Sequence, residues 1–317
     1  MCTLPTLVFI PGSWHKPSCY DKIIEPLEAE HGFRCARVTL PSTQDNPQAT
    51  FKDDLDAAQM VIINELTQGH DVIVIAHSYG GMVGGSVIKG LTRSKTVQTS
   101  DSTTYGYVVG LILIASGFAI TGLSFMEPLL GIPPPSWRVD KESGYAVIVA
   151  DPAQLFYHDV PKQESDYWVG QLKTQSLKAL FEGGEHAYSG WKDVPSWYVG
   201  TVEDQGLPVM LQRMQVSMAR AQGGHVHHIE LQSSHSPFLS MPDDVVQIIV
   251  DGAGTMVGKT TGTEQESQLL RARYTVPAVK IIAPGSWIRY GLPLVFGRIM
   301  GWGFMGYRGF KSLWNRN

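Results

Sequence analysis

Cysteine is scarce in this 317-residue chain: Cys2, Cys19 and Cys35 are an odd number, crowded near the amino terminus, with no C-x-x-C spacing. No paired histidine cluster accompanies them, so neither a disulfide framework nor a zinc site is expected, and a reducing, cytoplasmic setting suits them best. The first ten residues lack the basic start and the longer apolar stretch of a secretory leader. In the apolar C-terminal tail, Arg289 and Arg298 interrupt the sequence before any charge-free run reaches the length of a bilayer span, and no internal repeat is visible. Acidic residues are missing altogether after Glu266. Arg271, Arg273, Lys280, Arg289, Arg298, Arg308, Lys311 and Arg316 give that tail a charge of +8, which leaves the rest at about −12 within a net −4. Sparse cations on an acidic main body exclude a nucleic-acid partner.

What is present describes a chain able to bury a large core, with 43% hydrophobic and 17% charged residues. Short β-branched runs recur at Thr6–Ile10, Cys35–Leu40, Asp71–Ala76, Val108–Ala115, Ser196–Thr201 and Val226–Leu231. Several are apolar almost throughout, as strands covered on both faces of a parallel sheet must be. Amphipathic stretches lie between them, near Tyr20–Glu30, Thr50–Leu66, Met82–Leu91, Pro208–Ala221 and Asp243–Met256. This alternation predicts a doubly wound, mostly parallel α/β sheet of about six strands. Residues 1–115 and 192–257 form its core. The alternation fails over residues 116–191, too long for a loop, so a helical lid is expected there. The polar loop Thr92–Thr104 and the linker Gly258–Ser267 read as surface connections, and residues 258–317 as a basic, apolar extension.

The most informative segment is Asp71-Val-Ile-Val-Ile-Ala-His-Ser-Tyr-Gly-Gly81, an apolar strand, a sharp turn and the start of a helix. It is a G-x-S-x-G nucleophile elbow with Ala76 in the first position, where the neighbours of Ser78 must be small to let strand and helix approach. A serine needs a base and an orienting acid, which this architecture supplies in the order Ser, Asp or Glu, His. Asp204 follows the strand Ser196–Thr201, with Glu203 as its rival. His235 follows the strand Val226–Leu231, whereas His225, His227 and His228 read as strand residues and His77 as the variable residue of the elbow. For the oxyanion hole the candidates are the amides of Tyr79 and of Ser13, in the loop Ile10-Pro-Gly-Ser-Trp-His15 where Gly12 permits a close turn. Gly12, Trp14, His15, Phe125, Trp137, Phe156 and Trp168 are the candidates for contact with substrate, with capping of local structure an equal reading for His15. Leu129, Leu130, Tyr157, Phe181 and Trp191 complete an apolar underside of the lid, most of it simply holding the lid together.

These segments resemble the plant methylesterase and hydroxynitrile lyase branch of the α/β hydrolases, with its fungal and bacterial esterase relatives, over roughly Leu4 to Met256. Ile10–His15 resembles that group's His-Gly-x-x-His-Gly loop, Ala76–Gly81 its elbow, Thr201–Asp204 its acid loop and Ser234–Ser236 its histidine loop. The resemblance implies a serine hydrolase with a small lid, acting on a carboxylic ester or lactone without a cofactor. Departures matter: Pro11 replaces the loop histidine, Gly12 stands where the lyases place threonine, and Ser236 where they carry lysine, so cyanide chemistry loses its groups. Lyase, cyclase or retro-Claisen chemistry in the same pocket, and ligand binding on a hydrolase scaffold, are the alternatives. The extension suits packing on the body or on a second subunit, or contact with an anionic membrane surface.

Overall fold

The computed structural model describes residues 4–93, 105–258, 275–278 and 284–314. Most of the Thr92–Thr104 loop, nearly all of the Gly258–Ser267 linker, Cys2, Arg271, Arg273, Lys280 and Arg316 lie outside the described residues.

Six strands, β1 (Thr6–Ile10), β2 (Arg34–Arg37), β3 (Val72–His77), β4 (Val108–Ile114), β7 (Ser196–Thr201) and β8 (Val226–Leu231), form one parallel sheet in the order β2-β1-β3-β4-β7-β8. Every residue of β1, β3 and β7 is buried, which is why these runs carry almost no charge. The edge strand β2 ends sooner than its apolar continuation suggests. The Val38 amide still donates to the Phe9 carbonyl, but the chain then turns at Pro41–Thr43. Helices α1 (Asp21–Ala29), α2 (Phe51–Thr67), α3 (Gly80–Val87), α7 (Val209–Ala221) and α9 (Pro242–Met256) cover the sheet, and Thr50 with Asp53 closes a capping box on α2.

Residues 115–195 separate β4 from β7. The expected helices are there as α4 (Pro152–Phe156), α5 (Lys162–Gln171) and α6 (Leu177–Phe181), but a two-stranded antiparallel hairpin, β5 (Trp137–Asp140) and β6 (Tyr145–Ile148), precedes them. The insertion is therefore mixed rather than purely helical. It clasps the loop after β1: the Trp14 indole donates to the Ala146 carbonyl at 3.0 Å, and the Lys173 amide to the Trp14 carbonyl at 2.7 Å.

After α8 (Pro237–Ser240) and α9, the chain returns at Thr275, bridged to Glu230 of β8. A π turn (Trp287–Gly291) leads into α10 (Leu292–Trp314), which lies along α7. A Cβ on Gly297 would sit 2.3 Å from the Met214 carbonyl, so only glycine allows this approach. Arg213 of α7 pairs with Glu230 through two contacts of 2.7 and 2.8 Å, both groups buried, and its guanidinium lies over Tyr290.

Candidate active site

Ser78 stands between β3 and α3 with φ 50°, a left-handed conformation that β-substituted residues seldom adopt. The strain is held by packing. A Cβ on Gly80 would lie 2.5 Å from the Ile10 and Pro11 carbonyls, and one on Gly81 would overlap the Ser116 hydroxyl. Alanine is tolerated in the first motif position because Gly84 of α3 faces it, at a distance of 2.9 Å from the Ala76 Cβ to where a Gly84 Cβ would be.

At the carboxyl end of β8, the buried His235 brings Nδ1 within 2.7 Å of the Asp204 carboxylate. That carboxylate is the hub of a polar cluster. Oδ1 accepts the Gly206 and Leu207 amides at 2.8 and 2.7 Å, while Oδ2 accepts the Thr201 hydroxyl at 2.7 Å and the Gln212 amide at 3.1 Å. With its oxygens so occupied, Asp204 is fixed as an acceptor and His235 must carry its proton on Nδ1, leaving Nε2 as the basic nitrogen. Glu203, the rival acid, is exposed.

Gly12 brings the loop after β1 against Ser78: a Cβ there would be 2.8 Å from the Ser78 Cβ and 2.9 Å from His77 Nδ1. Among the described residues, neither the Ser13 nor the Tyr79 amide has a hydrogen-bond acceptor. The Tyr79 side chain turns away into the core, donating to Asp54 at 2.8 Å, so only its backbone is available. Burial raises the Asp54 carboxyl to about 6.

Ser78 and His235 line a common cavity of roughly 220 Å³ with Ser13, Trp14, Phe125, Trp137 and Phe156. Among the described residues lining it there is no Asp, Glu, Lys or Arg. A family model described as "Alpha/beta hydrolase family" matches residues 7–248. The chain belongs to this family. It is thus an enzyme, and it is similar to the alpha/beta hydrolase nvfD of Aspergillus novofumigatus, 26% identical over 80% of this chain and 98% of that one. Among solved structures it resembles a pyrethroid hydrolase of Sphingobium faniae (TM-score 0.62, 18% identity, 81% of this chain and 100% of that one). It also resembles polyneuridine aldehyde esterase (TM-score 0.59, 17% identity, 78% of this chain and 99% of that one).

As an alpha/beta hydrolase the chain departs from the sequence expectations at three substrate candidates. Gly12 does not line the cavity; its role is the close approach just described. His15 does not line it either: its Nδ1 donates to the Ser13 carbonyl at 2.7 Å and its Nε2 accepts the Tyr157 hydroxyl at 2.8 Å. Burial holds His15 down at about 4, so it stays neutral and braces the loop. Trp168 points elsewhere, its indole donating to Glu164 at 3.2 Å. Leu130, expected under the lid, is 85% exposed, in a left-handed turn at the end of a 3-10 segment.

Sequence reasoning missed two supports. Gln212, one turn into α7, binds Thr201, Asp204 and Leu207 together; nothing in a helical glutamine announces this. His77 is a buried neutral imidazole whose Nε2 donates to the His235 carbonyl at 2.9 Å, with burial holding its pKa well down.

Proposed function

We propose that this alpha/beta hydrolase cleaves a carboxylic ester or lactone of a medium-sized, uncharged, largely apolar substrate through an acyl-enzyme formed on Ser78. The observation that carries the reading is the buried 2.7 Å contact between His235 and Asp204, beside a cavity that also holds the strained Ser78. A wall that is mostly apolar and, among the described residues, free of charged side chains favours a neutral substrate.

Ser78 Oγ attacks the acyl carbon while His235 Nε2 takes its proton. Asp204 keeps the other ring nitrogen protonated and stabilises the imidazolium. The carbonyl oxygen becomes an oxyanion held by the Ser13 and Tyr79 amides, at the amino end of α3. Collapse expels the alcohol, which takes the proton from His235. Water then attacks the acyl carbon as its proton passes to His235, and collapse breaks the bond to Ser78 Oγ, which takes that proton back as the acid leaves.

Labelling with a fluorophosphonate tests this directly, with native chain and Ser78→Ala side by side. The native chain is expected to label and the variant not, with turnover of a cognate ester falling about 10³-fold or more. A folded native chain that stays unlabelled, or a variant near normal turnover, refutes the reading. Product analysis separates hydrolysis from carbon–carbon cleavage or cyclisation in the same pocket.

A further inference from the structure

Helix α10 has two apolar faces, and the body covers only one. The covered face runs through Pro293, Gly297, Gly301 and, half-buried, Met300 and Phe304. The opposite face exposes Leu292, Val295, Phe296, Ile299, Trp302 and Met305, with Trp302 67% exposed. Gly303, Gly306 and Gly309 meet nothing within 4 Å. Such exposed glycines weaken a helix by about 1 kcal/mol each relative to alanine, so neither propensity nor packing on the body accounts for this face.

The charges that the tail itself carries are of one sign. No acid follows Glu266, while Arg289 and Arg298 are exposed and Arg308 is half-buried. Lys311 is tied at 2.6 Å to Glu127 of the insertion. That tie puts the helix beside a second apolar patch, because Leu130 and the 66% exposed Ile132 follow Glu127 closely in the chain. Both elements also face inward. Met300 and Phe304 line the same cavity as Ser78 and His235, together with Pro128 and Leu129.

We propose that the outer face of α10, with Leu130 and Ile132, rests on an anionic lipid surface, and that the enzyme draws apolar substrate from that surface through the adjoining wall of its cavity. The lipid contact stands on the helix alone; the substrate clause rests on the function proposed above. A second copy is the poorer occupant: an isologous pairing along α10 would bring the exposed Arg289 and Arg298 of both copies to one seam, with no acid on the described helix to offset them. An anionic membrane offers the opposite sign to the tail and repels the acidic remainder, which orients the molecule. The helix lies on the surface rather than crossing it, since none of the described helices is long and apolar enough to span a bilayer.

The full chain is sedimented with phosphatidylcholine vesicles, with and without phosphatidylglycerol, using native protein and Ser78→Ala. Both proteins should bind the phosphatidylglycerol vesicles about tenfold or more tightly than the neutral ones, and release as salt rises. The double variant Ile299→Glu with Trp302→Glu should lose about tenfold or more of that binding. It should retain hydrolysis of a short water-soluble ester yet lose hydrolysis of an ester dissolved in the vesicles. A native chain that stays in the supernatant with both vesicles, binds them equally, or dimerises through α10 without binding lipid overturns the proposal. So does a double variant that binds like the native chain. Unimpaired turnover by Ser78→Ala with vesicle binding intact would sink the catalytic reading and leave the lipid contact standing.

Discussion

Replacing Asp204 by asparagine isolates what the carboxylate does, because the two residues have nearly the same shape. The amide must choose an orientation. The Gly206 and Leu207 amides point at Oδ1 from 2.8 and 2.7 Å and cannot rotate, so the asparagine oxygen is drawn to that side. Its NH2 then faces His235 Nδ1, where Oδ2 stood at 2.7 Å. Two N–H donors cannot share that line, so Nδ1 gives up its proton and the ring carries it on Nε2 instead. A base already protonated on Nε2 cannot accept the Ser78 proton. On this argument kcat falls about 10⁴-fold, close to 5.5 kcal/mol, as expected for a wrong tautomer.

Stability should suffer far less. The Thr201 hydroxyl can rotate to accept, and Gln212 keeps the Thr201 hydroxyl and Leu207 carbonyl as partners, so a loss of about 1–2 kcal/mol is expected. The assay is steady-state turnover of a cognate ester, with fluorophosphonate labelling rate and urea unfolding measured on the same preparations. Turnover within about tenfold of native would refute the tautomer argument, and so would a loss explained by unfolding. Glu203→Gln, at an exposed position, should change turnover less than about twofold.

Other substitutions follow from the same geometry. Gly12→Ala forces its new methyl against Ser78 and His77, displacing the Ser13 amide and lowering labelling by about 10²-fold or more while far-ultraviolet circular dichroism stays native; unchanged labelling would dissociate this loop from the oxyanion. Arg213→Met leaves the buried Glu230 carboxylate uncompensated and should cost about 3–5 kcal/mol in urea unfolding, with Glu230→Gln in the same chain recovering part of it; a loss under about 1 kcal/mol would contradict the burial of that pair. His15, held at about 4 against 6.5 when unfolded, favours the unfolded chain once pH falls below about 6.5, with the effect complete below about 4. His15→Gln should therefore flatten the loss of stability across that window by about 3 kcal/mol, and an unaltered slope would show that His15 is not buried neutral. The raised Asp54 acts in the opposite sense, its contribution present at acid pH and lost as pH rises through about 6.

The strands at Thr6–Ile10 and Ser196–Thr201 were legible to the residue, because a strand buried on both faces carries almost no charge along its length; the edge strand Val226–Leu231 was placed to the residue although His227, His228 and Glu230 interrupt its apolar run. Ser78, Asp204 and His235 were legible for a related reason: the fold puts them in loops at the carboxyl ends of strands that the sequence already marks. The hairpin of β5 and β6 was hidden, since four residues of alternation on either side of a turn do not stand out in a stretch that otherwise reads as helix. Helix α10 was hidden by its own composition. Glycines at 297, 301, 303, 306 and 309 argue against a helix on propensity, and only the contact with α7 explains those at 297 and 301.

The cavity and the loops that carry Asp204 and His235 are also less separable than the sequence implies. The Ser234 amide donates to Asp159 at 2.8 Å and its hydroxyl to the Phe156 carbonyl at 3.0 Å, while His158 donates to the Glu203 carbonyl at 3.0 Å. The insertion thus holds the residue preceding His235 and the residue preceding Asp204, through a segment that also supplies Leu155 and Phe156 to the cavity wall. Substrate bulk that displaces this wall pulls on both loops at once. A poor fit in the apolar cavity should then lower kcat as well as weaken binding, because sub-ångström errors in the placement of His235 act on the proton transfer itself.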